Sequence, residues 1–321
     1  IRTKEIGLLV HDACLSLGAS EAQALSCGEA VEKCFAFKSE KKGAKTVKAN
    51  DTDSVDSKQD NDADNNTLLF VSNHEIMLVA TAFMNNGFDP SKTFEFNKKD
   101  PVAPIAELMG TNGLFKDAWD IPLFGRMMAK AKSKEVNGAS FFSHALSTHE
   151  ARTEIDFFSG LDDLKDDGCA AHIGTSMFNS ATYYLYVRIS INDLIKGVSR
   201  ENISQALSEF IKALYLAVPS GRQNSFSGIC PWNWARVYLR DNRNTAGRDG
   251  VQFSLDPAVK ADKDGFVGPS IAAVSSFLDR QDRRDGSLSG VVKKITFGEN
   301  DDDCIDNLIS ETIEAVNKAI N

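Results

Sequence analysis

Three of the chain's five histidines, His144, His149 and His172, fall between residues 144 and 172 together with Asp156, Asp162 and Asp163. Neutral imidazoles and hard carboxylate oxygens are the donors a divalent ion accepts, so this stretch has the ingredients of a metal-dependent nuclease. The spacing works against it. His144 and His149 are five residues apart, off the i, i+4 interval that puts two ligands on one helical face, and in a strand that interval sends them to opposite faces. A third ligand such as His172 would have to be brought in by the fold. Asp162, Asp163, Asp166 and Asp167 read either as an acid/base or Mg²⁺ cluster or, beside Lys165 and Gly168, as a solvated turn. No G-x-S-x-G elbow and no glycine-rich phosphate loop occurs in the sequence.

A second set of residues suits nucleic acid. PSGRQNSFSG (219–228) offers a turn, the guanidinium of Arg222, the amides of Gln223 and Asn224, hydroxyls and an aromatic ring, the groups that hold phosphate, ribose and a stacked base. A polar loop between helix and strand is the plainer reading. Arg236, Tyr238 and Arg240, with Tyr184, Tyr186 and Arg188, alternate along two strand-like segments. They fit either a basic, aromatic RNA-binding sheet face or a plain solvent face.

The whole-chain numbers limit both ideas. With 321 residues, 42% hydrophobic and 25% charged, the chain has the composition of a globular protein with one large or two modest cores. A net charge of −9 makes local clustering of Lys and Arg, and not overall charge, the requirement for RNA binding. Residues 38–66, lysine-rich then aspartate-rich and without an aromatic residue, read as a solvated insertion or as lysines touching phosphate. The six cysteines lack C-x-x-C spacing, which argues against a zinc ribbon or a secreted disulfide framework and predicts small buried side chains. No run approaches the roughly eighteen apolar residues of a membrane span and no secretory leader is present, so no membrane partner and a cytoplasmic location are expected. The chain opens on Ile1 already in a helical pattern, and some sequence is expected to precede it.

Periodicity places these groups. Ile6, Leu9, Val10 and Ala13 predict a helix over 2–17, and Ser20 with Gln23 caps a second whose buried face is Ala24, Cys27, Val31, Cys34 and Phe35. Helical pattern resumes at Leu68 and again after Pro101 and Pro104. TYYLYVRISI (182–191) alternates with Leu185, Val187, Ile189 and Ile191 on the buried side. A helix capped by Ser199 carries the stripe Ile203, Ala206, Leu207, Phe210, Ile211 and Leu214, and WARVYLR is a second strand. A short strand near VVKKITF and a final amphipathic helix from Ile305 to Ile320 follow, predicting an α+β sheet domain.

Six blocks in order, DIPLFGRM, VNGASFFSHALSTHE with IDFFSGLDDL, GCAAHIGTSMFNSATYYLYVRISI, PSGRQNSF and AVKADKDGFVGPSIAAVSSFLDR among them, resemble the backbone (CasC-type) subunit of the type I-E CRISPR Cascade complex. The resemblance implies an α+β protein. It would have an RRM-like (ferredoxin-like) palm at 182–321, an inserted helical fingers domain at 1–135 and a long thumb hairpin at 136–181. It further implies a non-enzymatic subunit, without cofactor or metal, that binds CRISPR RNA, further copies of itself in a filament, other Cascade subunits and target DNA paired to the guide. The family reads guide RNA through backbone and shape. The positions carried over are Arg126, Met127, Arg222, Gln223, Asn224 and Lys263 as RNA contacts, with Phe158 and Leu161 as a thumb wedge beside the displaced base. The family's opening strand, with its Ser, Gln, Lys and Arg-rich segment, has no counterpart here, so the palm is expected to lack one strand.

Overall fold

A computed structural model describes residues 1–35, 68–95, 101–109, 115–128, 131–161, 170–217, 230–241, 258–300 and 302–320. The 38–66 tract, the carboxylates Asp162, Asp163, Asp166 and Asp167, and the loop with Arg222, Gln223 and Asn224 lie outside them. The chain divides into two compact units, one of residues 1–140 with 189–203, the other of 141–188 with 204–321. This division differs from the linear one drawn from sequence, since 189–203 joins the N-terminal unit.

The first unit is mainly helical: β1 (Arg2–Thr3), α1 (Ile6–Ser16), α2 (Glu21–Phe35), β2 (Leu69–Phe70), α3 (Asn73–Asn85), α4 (Pro90–Thr93), α5 (Ala103–Leu108) and α6 (Asp120–Phe124). The stripes on α1 and α2 become its core, in which Val10, Cys14, Ala24, Cys27, Val31, Val79, Phe83, Ile105 and Met109 are buried. Burying each large apolar side chain among them stabilises the fold by about 1.5–3 kcal/mol. Helices α1 and α2 cross where Gly7 meets Gly28, and a Cβ on Gly28 would run into the Gly7 carbonyl. The Ser20–Gln23 box forms as read, with the Ser20 amide donating to Gln23 Oε1 at 3.0 Å.

Two predicted helix starts are corrected. Residues 2–3 and 69–70 pair as antiparallel strands, Arg2 opposite Phe70 and Thr3 opposite Leu69, and α3 begins only at Asn73. A second capping box stops it there, Glu75 N–H donating to Ser72 Oγ and Ser72 N–H to Glu75 Oε2. Pairs this short carry no periodicity to detect.

On α1, the His11 ring lies 2.9 Å from Asp12 and 3.2 Å from Glu21 across the α1–α2 turn. The hydrogen bond to Asp12 first, then Glu21, raises its pKa above the ordinary histidine value of about 6.5. The folded-state pKa is the higher one, so this contribution is full below about pH 6.5 and lost as pH rises through the raised value. Stability of the wild type relative to His11→Gln is therefore expected to fall on going from about pH 6 to about pH 8. Parallel urea titrations check it, and an unchanged difference would dismiss the contact as inert.

The next elements are β3 (Ser140–Phe142), β4 (Leu146–Ser147), the paired β5 (Thr153–Leu161) and β6 (Ala170–Asn179), β7 (Tyr183–Tyr184) and β8 (Val187–Ile189), which lie in the second unit apart from Ser140 and Ile189. After α7 (Ile191–Gly197), which belongs to the first unit, come α8 (Ile203–Leu216), β9 (Ala235–Arg240), α9 (Val267–Asp285), β10 (Val291–Phe297) and α10 (Ile305–Ile320). The α8 stripe is buried at Ile203, Ala206, Leu207, Phe210 and Ile211, as its spacing requires. Among the described residues the strands make two-stranded sheets, and no four-stranded RRM-type sheet assembles from them.

The reading of 182–191 as one strand is also corrected. It is two short strands, and Ile191 already starts α7, where the Ser190 hydroxyl caps Asp193 N–H. The predicted face is inverted at its start. Tyr184, with Trp234 and Tyr238, packs against the buried pair Val274 and Leu278, while Leu185 is exposed. Burial pushes the Tyr184 phenol up to about 12. Cys14, Cys27 and Cys34 are buried as expected, but Cys230 and Cys304 are exposed, contrary to the reading of all six as interior.

Candidate nucleic-acid interface

Strands β5 and β6 pair antiparallel from Thr153 opposite Asn179 to Gly160 opposite His172. A bulge then sets Leu161 opposite Ala170. Every residue of β5 is exposed. A two-stranded ribbon covered on neither face is marginal alone, so a sequence that places large apolar side chains on one has a contact to make with them.

Alternation along β5 sorts those side chains. One face carries Ile155, Phe157 and Leu161, with Met177 and Ile173 opposite Ile155 and Ser159 on β6; Phe157 is 72% exposed and Leu161 70%. The other face carries Glu154, Asp156 and Phe158, with Phe178, Ser176 and Gly174 across from them. The two wedge candidates therefore sit on opposite faces of the ribbon. Phe158 lies over Gly174, where any Cβ would collide with its ring, and 5.8 Å from the His172 ring. Glycine at 174 is what lets the Phe158 ring lie across the partner strand. Sequence reading missed Phe157, Ile173, Met177 and Gly174, because their grouping appears only once the register of β5 against β6 is known.

Lys263 stands on a tight turn, where Asp262 and Gly265 form a bridge and Gly265 takes φ +107°. Its side chain is 89% exposed, with Asp264 3.9 Å away, so the ammonium is presented to solvent at the end of the segment entering α9.

Arg126 and Met127 divide between inside and outside. After α6, Gly125 adopts φ +84° and packs against the Gly138 backbone, and Arg126 pairs with Val136 through N–H···O bonds of 2.8 and 2.9 Å. The Arg126 side chain is 1% exposed. It donates to both Glu75 carboxylate oxygens at 2.8 and 2.9 Å and to the Lys134 carbonyl at 3.1 Å, and lies over the Phe115 ring. The guanidinium is enclosed and bonded to Glu75, so a phosphate reaching it would have to displace that carboxylate. Met127, next in sequence, is 75% exposed.

The strand face with Arg236, Tyr238 and Arg240 is neither an open RNA platform nor a solvent face. Helix α9 carries the groups that meet it: Arg236 bonds Asp279 and Ser275, Tyr238 bonds Asp282, and Arg240 approaches Asp282 at 3.7 Å. Lys294 on β10 completes the network at 2.7 Å from Asp279, and its hydrogen bond, followed by the Arg236 charge, holds the Asp279 carboxyl below the usual carboxylate range. Burial pushes the Tyr238 phenol up to about 12. The opposite face, with Ala235, Val237, Ile295 and Phe297, packs against Leu308 of α10 and Tyr215 of α8.

The three histidines of this stretch form no ligand cluster among the described residues. His149 is buried, its ring stacked on Phe266 at 3.7 Å, with Nδ1 2.9 Å from the Glu150 carbonyl while Nε2 accepts from Thr182 N–H at 3.1 Å. That pattern places the proton on Nδ1. His144 and His172 are exposed, and no group of three His, Cys, Asp or Glu side chains among the described residues could hold a metal. No helix among them is long and apolar enough to cross a membrane.

A family model described as CT1975-like protein matches residues 1–314. The chain belongs to the CT1975-like protein family. Solved structures agree with this family member's fold. A chain of a "CRISPR RNA-guided surveillance complex, pre-nicking" superposes with a TM-score of 0.69 at 20% identity, covering 98% of this chain and 84% of that one. A chain of a "CRISPR RNA-guided surveillance complex" gives 0.53 at 23% identity, covering 62% of this CT1975-like chain and 78% of its own. The search of curated proteins found no match.

Proposed function

We propose that this chain is a non-enzymatic, CRISPR RNA-binding subunit of a Cascade-type surveillance complex, acting in the cytoplasm. The observation that carries the reading is the uncovered β5–β6 hairpin, bearing exposed apolar side chains on both faces, in a chain whose fold superposes over nearly its whole length on a surveillance-complex chain. Such a ribbon gains its stability by lying against RNA and a neighbouring copy. Several copies along one guide would form a filament that holds the RNA for pairing with target DNA, beside other Cascade subunits. The motif order in the sequence favours the type I-E class, with an RRM-like palm, an inserted helical fingers domain and a thumb hairpin. Met127, Lys263 and the loop residues Arg222, Gln223 and Asn224 are the RNA contacts in this reading, and Phe158 and Leu161 the apolar ones.

Native mass measurement of the chain assembled on a CRISPR RNA tests the reading. Several copies on one intact RNA is the expected result, and a single copy or shortened RNA would refute it. The electrostatic contacts have their own test. Lys263→Ala is expected to weaken RNA binding and to lower the slope of log K against log salt by about 0.7 for each phosphate left without its ammonium. An unchanged slope would remove Lys263 from the interface.

A further inference from the structure

The root of the hairpin is built into the same cluster that holds the Lys263 turn. Thr148, at the end of β4, receives Val259 N–H on its carbonyl at 2.9 Å, and its hydroxyl lies 2.7 Å from Ser270 Oγ in the first turns of α9, with both side chains buried. The His149 ring stacks on Phe266 at 3.7 Å with an interplanar angle of 18°. Phe266 follows Gly265 of the Lys263 turn directly. On its other side the same ring ties the two chains of the hairpin together, since its Nε2 accepts from Thr182 N–H just beyond the far end of β6. One imidazole therefore touches both strands' roots and the residue that anchors the basic turn.

We propose that His149 is a positioning residue that couples the hairpin to the Lys263 turn, so that engagement of nucleic acid by one favours engagement by the other. The proposal rests on the reading of Phe158 and Lys263 as nucleic-acid contacts. The two halves of the coupling are separable. The stack joins hairpin to turn, whereas the Nε2 bond joins the two hairpin strands. Phenylalanine at 149 would keep the first and lose the second. Glutamine would lose the stack and retain an acceptor for Thr182.

The test is capture of a DNA strand complementary to the RNA loaded on the full chain, measured for Phe158→Ala, Lys263→Ala and the double variant. In the wild-type background the two losses are expected to be non-additive by more than about threefold. His149→Gln is expected to bring them within about twofold of additivity, and His149→Phe to leave the coupling in place. Amide exchange at Thr182 should show the reverse order, faster in His149→Phe than in His149→Gln, so that loosened structure alone does not mimic the result. Additive losses in the wild type, or coupling that survives His149→Gln, overturn the inference while leaving the contacts intact. If neither Phe158→Ala nor Lys263→Ala changes capture, the contact reading itself fails and the inference with it. Should His149→Gln not fold, Phe266→Leu removes the same stack from the other partner, with the same two outcomes.

Discussion

Glu75→Ala is expected to lower the free energy of unfolding by about 3–5 kcal/mol, because it leaves the Arg126 guanidinium buried without its counter-charge. The carboxylate has two duties: it accepts the Ser72 amide that caps α3, and it holds Arg126 at 2.8 and 2.9 Å. Both partners are almost wholly enclosed, at 1% side-chain exposure for Arg126 and 3% for Glu75, so solvent cannot replace what is removed. Exchanging both at once, Glu75→Leu with Arg126→Met, should cost far less, since well-packed apolar groups often replace a buried ion pair at little penalty. Urea unfolding of the three proteins decides it. A loss below about 1 kcal/mol for the single variant would show that water reaches the pair. The same result bears on RNA binding. Arg126→Ala should weaken binding through a loosened 126–136 bridge, and its salt slope should stay near that of the wild type, in contrast to Lys263→Ala.

The second large effect is expected at the hairpin. Phe158→Ala should weaken capture of target DNA by the RNA-loaded chain by about 1–3 kcal/mol per contact, the usual range for an aromatic ring against a base, with the effect repeated at each copy along the guide. Guide RNA binding should change less, because it draws mainly on backbone contacts such as that assigned to Lys263. Gly174→Ala offers a check that leaves the ring in the protein. The added methyl group takes the place where the Phe158 ring lies, so the ring must swing out, and capture should fall in the same direction with the fold intact. Equal losses of guide and target binding in Phe158→Ala would contradict a role at the duplex. Leu161, on the opposite face of the ribbon, should not substitute for Phe158, and Leu161→Ala should instead affect whichever surface meets Phe157 and Ile173.

Much of the architecture was legible in the chain itself. The helix stripes Ala24–Cys27–Val31 and Ile203–Leu207–Phe210 have one period and one apolar face, and an amphipathic helix has no other low-energy way to lie on a core. The strand WARVYLR was legible for the same reason, since alternation along its length leaves only one residue set for each face. The capping pair Ser20 and Gln23 acts within a single helical turn and needs no tertiary context. The ordered motif blocks, read as a resemblance, led to the surveillance-complex fold that superposition then supported.

Other features depended on groups distant in sequence. Nothing local distinguishes Arg126, which is enclosed, from Lys263, which is exposed; the difference lies in Glu75, 51 residues away along the chain, closing over the guanidinium. Arg236, Tyr238 and Arg240 alternate as a binding face would, and only the arrival of Asp279 and Asp282 on α9 makes that face a partly buried polar network. The histidines looked like metal ligands by type, but the ring nitrogens and stacking partner of His149 are set by Thr182 and Phe266, which sequence spacing does not bring together. The sequence alone determined most of the helices and longer strands and which of their faces are apolar, because those properties follow from backbone geometry repeated every two or about 3.6 residues. The tertiary structure decided which polar groups are spent on one another and which remain for a partner, because a hydrogen bond or ion pair is set by the meeting of two groups in space.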